Sequence, residues 1–216
     1  MLLNLLYPSP LGIKQLPVIN EIVSLYETPT SDIQSNVSDK AVYYKDIVNL
    51  WGSPNHNALP DPGYNKDKYL GLGFQELYDI NPLYPFPGDT LIEGRQGQSI
   101  RIGGSIAPLN TLVDKSNNGL PFILISNGQR KTTNGVDYIV EDINKDDNSL
   151  YFVSNHKVPL IPVNKKRDSY FTPPKTPDQY KGNQVLLNAG RVFINAKEES
   201  VLLSAKDSVG LKCKYY

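Results

Sequence analysis

Apolar residues alternate with polar ones in short runs along most of this chain, and few stretches hold the three-to-four spacing of a helix. Ala41–Trp51 is rich in β-branched and aromatic residues, which suits a strand. Further strands are predicted at Asp89–Glu93, Ser99–Ile102, Phe122–Ser126, Tyr138–Glu141 and Leu150–Ser154. Asn127-Gly128, Asn134-Gly135 and Pro87-Gly88-Asp89 punctuate them with turn chemistry. Between Pro17 and Pro29, Ile19, Ile22, Val23 and Tyr26 fit one short helix or an extended arm.

The last segment is periodic. Val185-Leu186-Leu187-Asn188-Ala189, Val192-Phe193-Ile194-Asn195-Ala196, Val201-Leu202-Leu203-Ser204-Ala205 and Val209-Gly210-Leu211-Lys212 each run valine, any residue, Leu or Ile, polar. The starts lie 7, 9 and 8 residues apart, with Gly190-Arg191, Lys197–Ser200 and Lys206–Ser208 between them. A unit this short suits a strand and a corner, as in a β-helix or β-prism, and not a helical repeat. Val185, Leu187, Val192, Ile194, Val201, Leu203, Val209 and Leu211 share one face and are expected to form the shared interior of a three-chain prism. Leu186, Phe193 and Leu202 form a second apolar face, expected to meet a neighbouring chain or the barrel. Strands apolar on both faces must be covered on both. The plainer alternative is an antiparallel meander capping the preceding domain.

The pattern predicts an all-β chain: a small OB-like barrel, then a short C-terminal β-helix or β-prism intertwined in a trimer. Other small barrels and a sandwich also fit the strand count. The expected divisions are an N-terminal arm over 1–39, the barrel over 40–155, a proline-rich connector over 156–183 and the repeat over 184–216.

Composition supports this. The chain has 216 residues, enough for one large domain or two small ones. Its 17 prolines leave few helical windows. Twenty-two basic residues balance 22 acidic ones, so no basic field favours nucleic acid or an anionic membrane. One cysteine, Cys213, and two histidines, His56 and His156, supply neither a disulfide nor a zinc site. The opening Met1–Pro8 is apolar but too short to span a membrane, and lacks the features of a signal peptide.

Candidate chemistry is sparse. Glu93 could serve as a catalytic acid, but glycoside hydrolysis needs a second placed carboxylate. The expectation is a cross-strand ion pair among Glu93, Arg95 and Arg101 around the Gly94–Gly97 bend. Asp142-Ile143-Asn144-Lys145-Asp146 opens like a calcium loop but has Asp147 and Val153 where glycine and glutamate belong, so it reads as a connecting loop with Asx turns. Gly71–Glu76 lacks the third glycine of a dinucleotide fingerprint. No nucleophile elbow accompanies His56. The chain is therefore read as a non-enzyme without metal or cofactor.

Gly88–Ser105 resembles a motif of structural proteins from marine contractile-tailed phages. Asn49–Ala58 and Glu141–Asp146 resemble flanking segments of that family, and Asn188–Ala196 resembles the start of its C-terminal β repeat. The layout is similar to the central spike of contractile injection machines, including the VgrG type, over about residues 40–213. Four repeats are fewer than such spikes usually carry, and there is no room for the lysozyme domain of some relatives. The resemblance implies a homotrimeric spike or hub protein of the virion's tail baseplate, made in the host cytoplasm. It would dock to other hub proteins and a needle-tip protein, support membrane puncture, and bind no nucleic acid. A non-trimeric wedge or peripheral baseplate protein is the alternative. A tail-associated glycan hydrolase or sugar-binding module stands behind it.

Overall fold

The computed structural model describes residues 7–8, 15–17, 21–29, 40–48, 80–104, 112, 119–129, 137–163 and 173–210. The chain is all-β: these residues contain eight strands and no helix. They fall into two units, 1–82 with 132–137, and 83–131 with 138–216.

In the first unit, β1 (Tyr7–Pro8), β2 (Val23–Pro29) and β3 (Lys40–Ile47) form a sheet of order β1-β3-β2. The β2–β3 ladder is antiparallel, with a register shift between Val23 and Leu25. Tyr26 stands opposite Tyr43, and their rings stack 5.6 Å apart. Residues 21–29 are thus extended, because aromatic and β-branched side chains gain cross-strand partners there that a lone helical turn could not give them.

The second unit is an antiparallel meander of β4 (Thr90–Glu93), β5 (Ser99–Gly103), β6 (Phe122–Asn127), β7 (Asn148–Ser154) and β8 (Asn183–Ala189). Each strand pairs with its sequence neighbours. Among the described residues no pairing of β4 with β8 closes the sheet. Gly97, at φ 83°, turns the chain between β4 and β5, and the Gly94 N–H donates to the Gln98 carbonyl at 2.7 Å. Gly128, at φ 74°, ends β6.

Alternation sets the two faces. Phe122, Leu124 and Ser126 of β6 are buried while Ile123 and Ile125 face out, and Ser149, Tyr151 and Val153 of β7 are buried likewise. The core gathers Phe122, Leu124, Tyr151 and Val153 with Leu112, Ile143 and Val158, and Leu186 of β8 packs against it.

Four expectations from sequence need revision. Tyr138–Glu141 is not a strand. Ile139 makes a single parallel bridge to Leu83 and is buried beneath the sheet. Residues 40–47 belong with β2, so the expected boundary at 39–40 cuts a hydrogen-bonded ladder. Residues 184–189 are likewise not separate from the preceding domain. They lie within β8, whose ladder with β7 runs from Asn183 opposite Ser154 to Ala189 opposite Asn148. The connector begins inside the core too, since His156 and Val158 are fully buried.

Candidate assembly surface

The face of the meander turned away from the core is apolar across all five strands. One row runs Ile92, Ile100, Ile125, Leu150, Leu187, each opposite the next. The second runs Thr90, Ile102, Ile123, Phe152, Val185. Val185 is 65% exposed and Leu187 55%. By the alternation of strand side chains, the remaining residues of this face are Asn127, Asn148, Ser154, Asn183 and Ala189. It carries no ionisable group. At the end where β6, β7 and β8 meet it hollows into an open apolar groove of about 350 Å³, lined by Ile123, Phe152 and Val185 with Pro121, Ser154 and Asn183.

Beyond β8 the chain has no regular secondary structure and is exposed from Arg191 to Gly210. It bends at 197–199 and at 206–207, inside the two turns that the repeat spacing marks as corners. Both apolar series are open there. Val192, Ile194, Val201, Leu203 and Val209 of the first face are exposed, and so are Phe193 and Leu202 of the second, at 76% and 88%. In β8 the two series separate: Val185 and Leu187 lie on the sheet's outer face, and Leu186 points to the core. Leu211 and Cys213 lie outside the described residues, as do His56, the 52–68 loop and Gly71–Glu76.

The inner face holds the buried charges. Arg101 is fully buried on β5. Its Nε donates to Glu141 Oε1 at 2.8 Å, Nη2 to the Tyr84 carbonyl at 3.0 Å, and Nη1 reaches Asp89 Oδ2 at 3.5 Å. The guanidinium sits 4.9 Å from the centre of the Phe86 ring. Gly103 makes room for the cluster, since a Cβ there would lie 2.2 Å from Asp89 Oδ1. Glu93 is not the partner of Arg101 that the spacing suggests. It accepts the Leu83 N–H at 2.7 Å. Burial pushes its carboxyl above the ordinary value, against the pull of the Leu83 N–H and the Arg101 charge, and Glu141 adds to the rise. The arrangement is a fixed, hydrogen-bonded ion cluster beneath the sheet. Asp89 and Glu141, 12 and 40 residues from Arg101, were not found from sequence, because pairing with a buried arginine leaves no periodic signal.

The Asp142–Asp146 loop is bound to its own backbone. The Asn144 N–H donates to Asp142 Oδ1 at 3.1 Å, an Asx turn, and the Asp142 N–H and Ser126 Oγ both donate to Asp146 Oδ2. Asn144 bridges to the Pro159 carbonyl and the Ile161 N–H, and the Asn188 amide donates to the Ile143 carbonyl. The loop therefore ties together β8 and the start of the connector.

No family model matches this chain, and neither a curated protein nor a solved structure matches it. Among the described residues, no helix is long and apolar enough to cross a membrane.

Proposed function

We propose that this chain is a structural subunit of a contractile-tail baseplate, a homotrimeric spike or hub component whose C-terminal segment intertwines with two other copies. The observation that carries this reading is the state of residues 191–210. They lack regular secondary structure, are apolar on both series and are exposed in the single chain. Apolar side chains this open gain about 25 cal/mol for each Å² withdrawn from water. Three such segments wound together would withdraw both series at once, with the charged bends at the corners.

The meander stands where the resemblance has an OB-type barrel, and its last strand runs directly into the intertwining segment. Docking to hub neighbours and to a needle-tip protein follows from the resemblance alone. The role assigned to the chain is assembly, without catalysis.

Light scattering on the purified chain tests the reading. A mass of three times 24.1 kDa is expected. A monomer at micromolar concentration without any partner would transfer the chain to the wedge or peripheral class.

A further inference from the structure

Apart from Val185 and Leu187, the residues of the sheet's outer face lie outside the C-terminal repeat, and the proposed trimer of tails does not require them. The face is nonetheless a broad apolar, solvent-facing part of the second unit. Nine Ile, Leu, Phe and Val side chains lie on it in two rows. Together they leave on the order of 700 Å² of apolar surface open, more than the ~300–600 Å² of the largest patch on an ordinary monomer. That is close to the ~800 Å² each partner contributes to a stable interface.

We infer that this face is a second interface between copies of the chain, packing against a neighbouring copy beside the axis around which the tails wind. The inference rests on the trimeric reading above and extends it from the tail to the sheet.

Three observations select a second copy as the occupant. The first is continuity. Val185 and Leu187 open the valine and leucine series of the repeat, and they also sit on the outer face of β8. β8 thus carries the edge of the face and runs on into the segment that the proposed trimer winds together. A neighbouring copy held by that segment is therefore held next to the edge of the face that Val185 and Leu187 form. The second is charge. A face without ionisable groups can approach its own copy without like-charge repulsion, and it offers nothing to select a charged partner. The third is size, since the open area already approaches that of a stable interface. The groove by Phe152 gives the face relief, so a neighbouring side chain can seat there.

The test compares the full wild-type chain with Ile125→Glu, at the centre of the face. Both are followed by light scattering over a dilution series and by far-ultraviolet circular dichroism. The variant is expected to keep the wild-type spectrum and to need at least tenfold more protein to assemble. Because a glutamate on a central strand could also unfold the sheet, hydroxyl-radical labelling of the wild-type chain gives an independent measurement. Ile100, Ile125 and Phe152 should be labelled several-fold more slowly in the assembled chain than after dilution to monomers. A folded Ile125→Glu chain that assembles like wild type overturns the inference and leaves the trimer standing. So does equal labelling before and after dilution. Labelling that is slow in both states would mean that the chain covers the face itself, and also overturns it. A wild-type chain that never assembles removes both readings.

Discussion

Arg101 Nε lies 2.8 Å from Glu141 Oε1 in a place that water barely reaches: the arginine side chain is 0% exposed and the glutamate 1%. The pair fastens the 138–146 segment to β5, and Asp89 also meets the guanidinium. Removing one member of such a cluster leaves the rest buried and uncompensated.

Arg101→Met should therefore cost about 3–5 kcal/mol, the usual penalty for breaking a buried pair from one side. Arg101→Lys should also destabilise, because an ammonium cannot keep the forked contacts with Glu141 and the Tyr84 carbonyl together. Urea unfolding of the two variants measures both. A loss below about 1 kcal/mol for Arg101→Met would show that the cluster contributes as little as a surface pair.

Glu93 sets a pH dependence of definite sign. Its carboxyl binds a proton more tightly folded than unfolded, chiefly because burial disfavours the charge. As pH rises past about 4.5, the unfolded chain ionises first, so this group's share of stability falls until the folded carboxyl ionises too. Glu93→Gln keeps an acceptor for the Leu83 N–H and removes the titration. Urea midpoints between about pH 4 and pH 7 should fall less steeply in the variant than in wild type. Parallel slopes would contradict the assignment.

Strand β8 fixes where the C-terminal repeat can be cut. A chain ending at Gly190 keeps the whole β7–β8 ladder and should remain folded without forming the trimer of tails. A chain ending at Gly182 loses Leu186 from the core, about 1.5–3 kcal/mol, and leaves β7 as an open edge prone to pairing with other chains. It should melt lower and aggregate. Equal melting of the two chains would show that β8 adds nothing to the domain.

Val201 is exposed in the single chain, so Val201→Asp should leave the domain's melting unchanged. In a trimer the same substitution brings three carboxylates near one axis and should abolish assembly. Unchanged light scattering would place Val201 outside the interface.

The strands were legible from sequence where alternation met clear punctuation. Phe122–Asn127 and Thr90–Glu93 fall within a residue of their expected bounds. Tyr138–Glu141 has strand composition but was drawn under the sheet by the burial of Ile139 and the Arg101–Glu141 contact, both long-range effects. The repeat period was legible, whereas its division of labour was not. Val185–Ala189 has the same pattern as the segments after it, and only the β7 ladder distinguishes it. The outer face had a usable signal, because Phe122-Ile123-Leu124-Ile125 is apolar on both parities and a strand of that kind needs cover on both sides. Arg101 on the inner face had none, since arginine is ordinarily exposed.

Because β8 belongs to the sheet and continues as the tail, it is a mechanical coupling. Traction on the tail along the axis of β8 is borne in shear by the seven residue pairs joining β8 to β7, which must yield together. Traction across that axis would peel the same pairs apart one at a time. The strand is therefore strong in one direction and weak in the other, and the bearing of the tail as it leaves Ala189 decides which resistance an axial thrust would meet.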